Sequence, residues 1–190
     1  MGVADRKGRE RADRQHRITA AARAIAGREG WGAVTIRRLA EEIEYSQPVL
    51  YAHFENRDAI VAAVAVEGFG DLALALRQAA RASPDRPTAL GNVARAYLAF
   101  ALEQPALYEA MFTMRTGLRF AEADSKAELK EAFAALAAVL TPARSDAATA
   151  TETFWAALHG LAELERSGRI RPSARDDRLA LVIHGLGELP

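Results

Sequence analysis

The sequence predicts an all-α chain of about nine helices: a three-helix head followed by a body of longer antiparallel helices. Apolar residues recur at three- and four-residue spacing nearly throughout, and strand-type alternation is scarce. Caps and breakers fall at helix-length intervals. The 190 residues are half apolar, enough to fill a packed core.

Ile18, Ala22, Ile25 and Ala26 make one apolar stripe on a first helix over about 13–29, and Gly30 suits the left-handed position that ends it. Residues 1–11, led by Arg6-Lys7-Gly8-Arg9-Glu10-Arg11, read as a disordered basic tail. Past Trp31-Gly32-Ala33, Thr35 caps a second helix that runs to about 43 and buries Ile36, Leu39, Ala40 and Ile43. Glu44 and Tyr45 make a turn. Ser46 then caps a third helix over about 47–54, with Pro48 in the first turn, where a missing N–H costs nothing. Asn56 caps a fourth, long helix over about 57–81, and Asp58 sits against its N-terminal dipole. Ser83-Pro84-Asp85-Arg86-Pro87 is the clearest break. Further helices follow at roughly 88–103, 105–115, 124–140, 146–167 and 176–188. The expected organisation is a tail over 1–11, a three-helix unit over 12–58, a connecting helix and linker over 59–87, and a body over 88–190.

Composition narrows the function. There is no cysteine, so disulfides and thiolate metal sites are excluded. No targeting segment is visible, and the longest apolar run, 59–66, is short of the roughly 20 residues that span a bilayer. A cytoplasmic protein without a membrane partner is expected. No nucleophile elbow, Gly-rich phosphate loop or H-E-x-x-H spacing is present, so neither an enzyme nor a cofactor is expected. Net charge is zero but unevenly spread. Residues 1–38 hold ten Lys/Arg against four Asp/Glu, and the remaining 152 hold fifteen against twenty-one. A basic head on an acidic body suits a phosphate backbone.

Two short helices joined by a tight turn, with a longer helix in front, have the geometry of a DNA-reading unit. A major groove admits one α-helix, and the preceding short helix crosses the backbone and holds it. The reader must be packed on one face and polar or small on the other. The third helix fits, with Leu50 and Phe54 as core and Gln47, Val49, Tyr51, Ala52 and His53 outside. Gln47 suits an adenine edge and Val49 a thymine methyl. Tyr51 and His53 suit phosphate oxygens.

Thr35-Ile36-Arg37-Arg38-Leu39-Ala40, followed by Ser46-Gln47-Pro48-Val49-Leu50-Tyr51-Ala52-His53-Phe54-Glu55-Asn56-Arg57, resembles the signature of the TetR/AcrR repressor family over about residues 12–66. The resemblance implies an all-α homodimer whose paired reading helices contact a palindromic double-stranded operator. It also implies DNA contacts from Thr35 and Arg37 on the second helix and from Gln47, Pro48, Val49, Tyr51 and His53 on the third. Arg57 would clamp phosphate together with the fourth helix's N-terminus. One departure is the helix-2/3 turn, which in the family often carries Gly and here is Glu44-Tyr45.

In the body, Pro105-Ala106-Leu107-Tyr108-Glu109-Ala110-Met111-Phe112 and Phe154-Trp155-Ala156-Ala157-Leu158-His159-Gly160-Leu161 resemble the Trp-His-Gly type of TetR-family C-terminal domain. That implies a small-molecule effector pocket among the middle helices and a dimer interface from the last two. Phe100, Tyr108, Met111, Phe112 and Trp155 supply large adaptable side chains for a mainly apolar effector, and Arg95, Arg115 and His159 supply polar anchors. An ordinary core uses the same residue types at the same spacing. His159-Gly160-Leu161-Ala162-Glu163-Leu164 recurs nearly intact as His184-Gly185-Leu186-Gly187-Glu188-Leu189. Its His and Glu four apart permit a metal site. The better reading is a helix seam, with small glycines allowing close approach and Leu161, Leu164, Leu179, Val182, Ile183 and Leu186 forming a four-helix dimer interface.

Overall fold

Side-chain caps set the starts of four helices. Thr35 Oγ1 accepts from the Arg38 N–H at 3.1 Å and Asn56 Oδ1 from Ala59 at 2.9 Å. Asp85 accepts from Thr88 at 2.8 Å and Asp146 from Thr149 at 2.9 Å. Each such cap is worth about 1 kcal/mol. The computed structural model describes residues 3–120, 122, 124–140 and 146–187, with side chains placed from 6 to 185 within them. In chain order the helices are α1 (Val3–Glu29), α2 (Ile36–Glu42), α3 (Gln47–Tyr51), α4 (Arg57–Arg81), α5 (Arg86–Glu103), α6 (Pro105–Phe112), α7 (Ala127–Ala137), α8 (Ala147–Arg166) and α9 (Arg175–Gly187). Two 3-10 turns, Trp31–Ala33 and Pro172–Ala174, complete the set, and no strand occurs among the described residues.

α1 begins ten residues earlier than expected and takes in residues 3–11, which were expected to be a disordered tail. The segment holds three Arg, a Lys and a Glu, all good helix formers, and Arg6 pairs with Glu10 one turn on at 3.6 Å. α3 ends at Tyr51 rather than near 54, although Phe54 N still reaches Leu50 O at 2.9 Å.

The chain forms two compact units, 1–68 with 106–118 and 69–105 with 119–190. The division falls inside α4, not at the Ser83–Pro87 break. The core of the first unit is Ile18, Ala22 and Ile25 of α1, Leu39 of α2, Leu50 of α3 and Ile60 and Val64 of α4, joined by Leu107, Tyr108 and Met111 of α6. Trp31 Nε1 donates to the Ala106 carbonyl at 2.7 Å and fixes α6 there. Gly68 permits a close contact there: a Cβ would lie 2.7 Å from Met111 Sδ and 2.9 Å from Leu107 Cδ1, and those side chains would have to shift. The second unit packs α5, α7, α8 and α9 together with Leu72 and Leu76 of α4 around Tyr97, Leu98, Phe154 and Leu158.

Glu165 of α8 is buried, with Arg175 and Arg178 of α9 on its carboxylate. Arg175 Nε lies 3.1 and 3.2 Å from its two oxygens and Nη2 also donates to Oε1, a forked geometry that binds strongly.

By length and composition α4 is apolar enough to cross a bilayer, a property the short 59–66 run did not reveal. Half of its apolar window is buried in the fold, and Glu67 within it accepts from Thr19 Oγ1 at 2.7 Å. That is the profile of a core helix.

Glu44, between α2 and α3, holds φ 57°, a left-handed conformation that costs a non-glycine residue about 1 kcal/mol or more. The turn lets Tyr45 N reach Ala40 O at 2.9 Å. Glu44→Gly therefore raises stability, by about 0.5–1 kcal/mol after the entropic cost of glycine, measured as an upward shift of the urea midpoint at unchanged slope.

Candidate nucleic-acid interface

The reading face is set by what α3 buries. Leu50 and Phe54 are in the core. With that side fixed, Gln47, Pro48, Tyr51 and Ala52 point to solvent, and Val49 and His53 lie half-buried at the flanks. Tyr51 is 54% exposed, unusual for a large aromatic residue without a partner to cover it. Ser46 occupies the N-cap position, but its side chain makes no cap hydrogen bond. Its carbonyl instead takes Val49 N at 3.0 Å and Leu50 N at 3.4 Å.

α2 presents Thr35 and Arg37 on the outside. Arg37 Nε donates to Glu41 at 2.9 Å, and that contact raises its pKa. The pair is exposed, so it is a weak tie that a phosphate can displace. Arg28, Glu29, Arg38 and Glu42 form a lattice between α1 and α2, with contacts of 2.9–3.3 Å.

α1 adds residues that sequence reasoning missed. Burial is the main cause of a lowered His53 pKa, and the nearby Arg11 and Arg14 guanidinium groups lower it further. His53 is therefore neutral at pH 7, and its Nδ1 has no hydrogen-bond partner among the described residues. Arg17 Nη1 donates to the Tyr45 hydroxyl at 3.1 Å. Arg11, Arg14 and Arg17 thus run beside the turn and the end of α3. Their three-residue spacing was the available signal; of the three, only Arg11 falls in the expected tail.

Arg57 is bound within the first unit. Nε donates to the Val34 carbonyl at 2.7 Å and Nη2 to the Trp31 carbonyl at 2.7 Å, with Nη1 3.4 Å from Asp58. The guanidinium closes the 3-10 turn and the end of the Trp31–Val34 segment onto the start of α4. It serves as an internal brace, with two of its three nitrogens committed.

The residues expected to line an effector pocket fall in both units. Tyr108 and Met111 are core of the first unit, and Phe112 packs on Tyr108 with ring centroids 4.6 Å apart. Arg115, in the same unit, is exposed. Phe100 is core of the second unit. There Trp155 is half-buried, its Nε1 donating to the Tyr97 hydroxyl at 3.1 Å and its ring 6.0 Å from Phe120. His159 is half-buried too, and burial lowers its pKa against the opposing pull of Glu163. Arg95 lies at a cleft between α5 and α9.

Of the seam residues, Leu164 is exposed and Leu161, Val182 and Ile183 are half-buried. Leu179 is core. Leu186, like Glu188 and Leu189 of the repeated fragment, lies outside the described side chains. Leu181, which sequence reasoning passed over, is 72% exposed. No cluster of three metal-ligating side chains occurs among the described residues.

A short, braced helix with an exposed polar face behind a tight turn defines a helix-turn-helix DNA-binding protein. Residues 18–64 match the model of the tetR family of bacterial regulatory proteins, and residues 90–186 match that of the tetracyclin repressor-like C-terminal domain. The chain belongs to the TetR family of transcriptional regulators. It is similar to an uncharacterised helix-turn-helix transcriptional regulator of Mycobacterium tuberculosis, with 32% identity over 144 residues. That match covers 74% of this chain and 65% of the relative, so the chain spans less than two thirds of that protein. A solved Rhodococcus sp. RHA1 protein of unknown function shares the fold at TM-score 0.72 and 23% identity, covering 90% of this chain and 92% of that one. A TetR family regulator of Thermus thermophilus shares it at TM-score 0.61 and 18% identity, covering 88% and 97%.

Arg57→Ala removes two charge-assisted hydrogen bonds to backbone carbonyls. It lowers folding stability by about 2 kcal/mol, measured by urea denaturation, and leaves the salt dependence of DNA binding unchanged below the melting temperature.

Proposed function

We propose that this chain is a homodimeric repressor, acting in the cytoplasm, that is released from a palindromic operator by a small, mainly apolar effector bound within residues 88–190. The single observation that carries the DNA-binding part is the exposed face of α3, where Gln47, Pro48 and Tyr51 stand out while Leu50 and Phe54 anchor the helix from behind. Thr35 and Arg37 flank it from α2, and Val49 and His53 lie at its edges. Two copies holding these helices about 34–36 Å apart meet successive major grooves on one side of the duplex. Arg11 and Arg14 join this set as phosphate contacts, because they stand beside His53 and share its electrostatic field.

Support for the dimer comes from α8 and α9. Thr153, Ala156 and Leu164 face solvent along α8, and a Cβ at Gly160 would meet nothing within 4 Å. Leu181 stands out from α9, and a Cβ at Gly185 also meets nothing. Apolar and small positions without an internal partner fit a two-fold four-helix seam. Leu161, Leu164, Leu181 and Val182 are its residues. Leu179 belongs to the core.

The burial of Phe100, Tyr108 and Met111 favours a second reading, a regulator without a small-molecule effector, unless the ligand sits elsewhere in the body.

Fluorescence anisotropy on promoter DNA across a salt series tests the operator contacts. Tyr51→Ala and Gln47→Ala each weaken sequence-specific binding by about 10-fold or more. Arg11→Ala and Arg14→Ala each reduce the slope of log affinity against log salt by about 1.8, one phosphate contact in each subunit of the dimer. Binding equal on scrambled DNA and unmoved by the α3 variants overturns the assignment. In sedimentation, Leu164→Asp with Leu181→Asp gives a folded monomer that loses the operator; an unchanged dimer overturns the seam.

A further inference from the structure

Between α5 and α9 the second unit opens a cleft of about 460 Å³, within the size range of small-molecule sites. Its apolar lining includes Pro87, Gly91, Leu179 and Ile183, and Arg95 and Asp176 are its opposed charges. Arg95 is held in place from two sides. Nη1 donates to Asn92 Oδ1 at 3.0 Å, and Nε lies 3.5 Å from Asp176 Oδ1. Nη2 makes no hydrogen bond among the described residues. The guanidinium lies across Gly91, where a Cβ would be 3.5 Å from Nη1 and 4.0 Å from Nη2.

Gly91 is informative because nothing in the packing demands it. It sits inside an α-helix, where glycine costs about 1 kcal/mol relative to alanine. A methyl there would meet only ordinary contacts, with Arg95 and with Ile183 Cδ1 at 3.8 Å. What the missing side chain leaves is a seat for the Arg95 guanidinium, which lies against the bare helix beside Ile183.

We propose that this cleft binds a small amphipathic carboxylate. The carboxylate takes the unused edge of Arg95, and the apolar portion lies against Leu179 and Ile183. A guanidinium already oriented by Asn92 and Asp176 spends little ordering entropy on capture. Asp176 opposes an anion, but its side chain is 82% exposed. An exposed pair of this kind is worth at most about 1 kcal/mol, a small opposition to a ligand that also buries its apolar portion. A cation would have to displace Arg95 from the floor it covers, and a neutral apolar ligand would leave Nη2 unused. Of the residues expected to hold the effector, only Arg95 lines this cleft. Its coupling to the operator rests on the repressor reading above; the binding itself does not.

The test uses the full chain with 3-phenylpropionate and octanoate as probes, their primary amides as neutral matches, and titration calorimetry as the readout. The carboxylates bind at least tenfold more tightly than the amides. Arg95→Gln removes that difference, and Gly91→Leu abolishes binding while the circular dichroism spectrum is retained. Methyl NMR on the unaltered protein needs no variant: Leu179 and Ile183 methyl resonances shift on saturation with 3-phenylpropionate. Equal affinity for acid and amide, no binding of either at millimolar concentration, or binding that leaves those methyls unmoved overturns the site. A Gly91→Leu protein that turns from dimer to monomer assigns the cleft to a second copy and also overturns it. Operator affinity measured in parallel separates the two ideas: carboxylate binding at these methyls with unchanged operator affinity upholds the site and overturns its regulatory role.

Discussion

A five-residue helix cannot hold itself. Forming one turn fixes several residues for a single hydrogen bond, and an isolated helix needs about 12–15 residues to be even marginal in water. α3 is a third of that length, yet it is the element that would have to enter a groove with its side chains in register. The first unit supplies the rigidity that α3 lacks. Leu50 and Phe54 lock it from inside, Glu44 accepts a strained backbone to aim it, and Arg57 ties the segment behind α1 to the start of α4. Arg57 shows how strong this demand is. A cation at a helix start beside a DNA-reading unit suits a phosphate, and here it is spent on two carbonyls.

The second unit solves a different problem. α9 has few buried apolar residues, with Leu179 the one described side chain of the helix in the core. A helix so weakly buried needs another attachment, and Glu165 provides it. Burying a carboxylate is costly, and the cost is offset only by well-aligned partners. The fork of Arg175, with Arg178 beside it, supplies them at the helix's first turn. α9 is thereby fixed at one end, while Leu181 remains on its surface and a cleft persists along α5.

Much of this was legible in the sequence. Helix caps are local chemistry, so Thr35 and Asn56 could be read from residue type and position, and the structure shows both accepting hydrogen bonds. The apolar stripe of α1 and the burial of Leu39, Leu50 and Phe54 follow from periodicity alone. The misses are all tertiary. Nothing local distinguishes an arginine facing phosphate from one facing the Val34 carbonyl. Met111 looked like an adaptable pocket residue because its place against Gly68 depends on a helix more than forty positions earlier. Leu181 was overlooked because periodicity says that one face of α9 is apolar, not which neighbours cover it. Arg11 fell within the expected tail, and composition settles disorder poorly for short charged segments with good helix propensity.

The chain's two tryptophans fall one in each unit. Trp31 is buried and bonded to a backbone carbonyl, whereas Trp155 is half-buried, bonded to a phenol and near a second ring. Their indoles therefore sit in different polarities and emit at different wavelengths. A single-tryptophan form of the protein would report the melting of one unit in isolation, and comparing the two forms would show by ordinary fluorescence whether the units come apart together or in sequence.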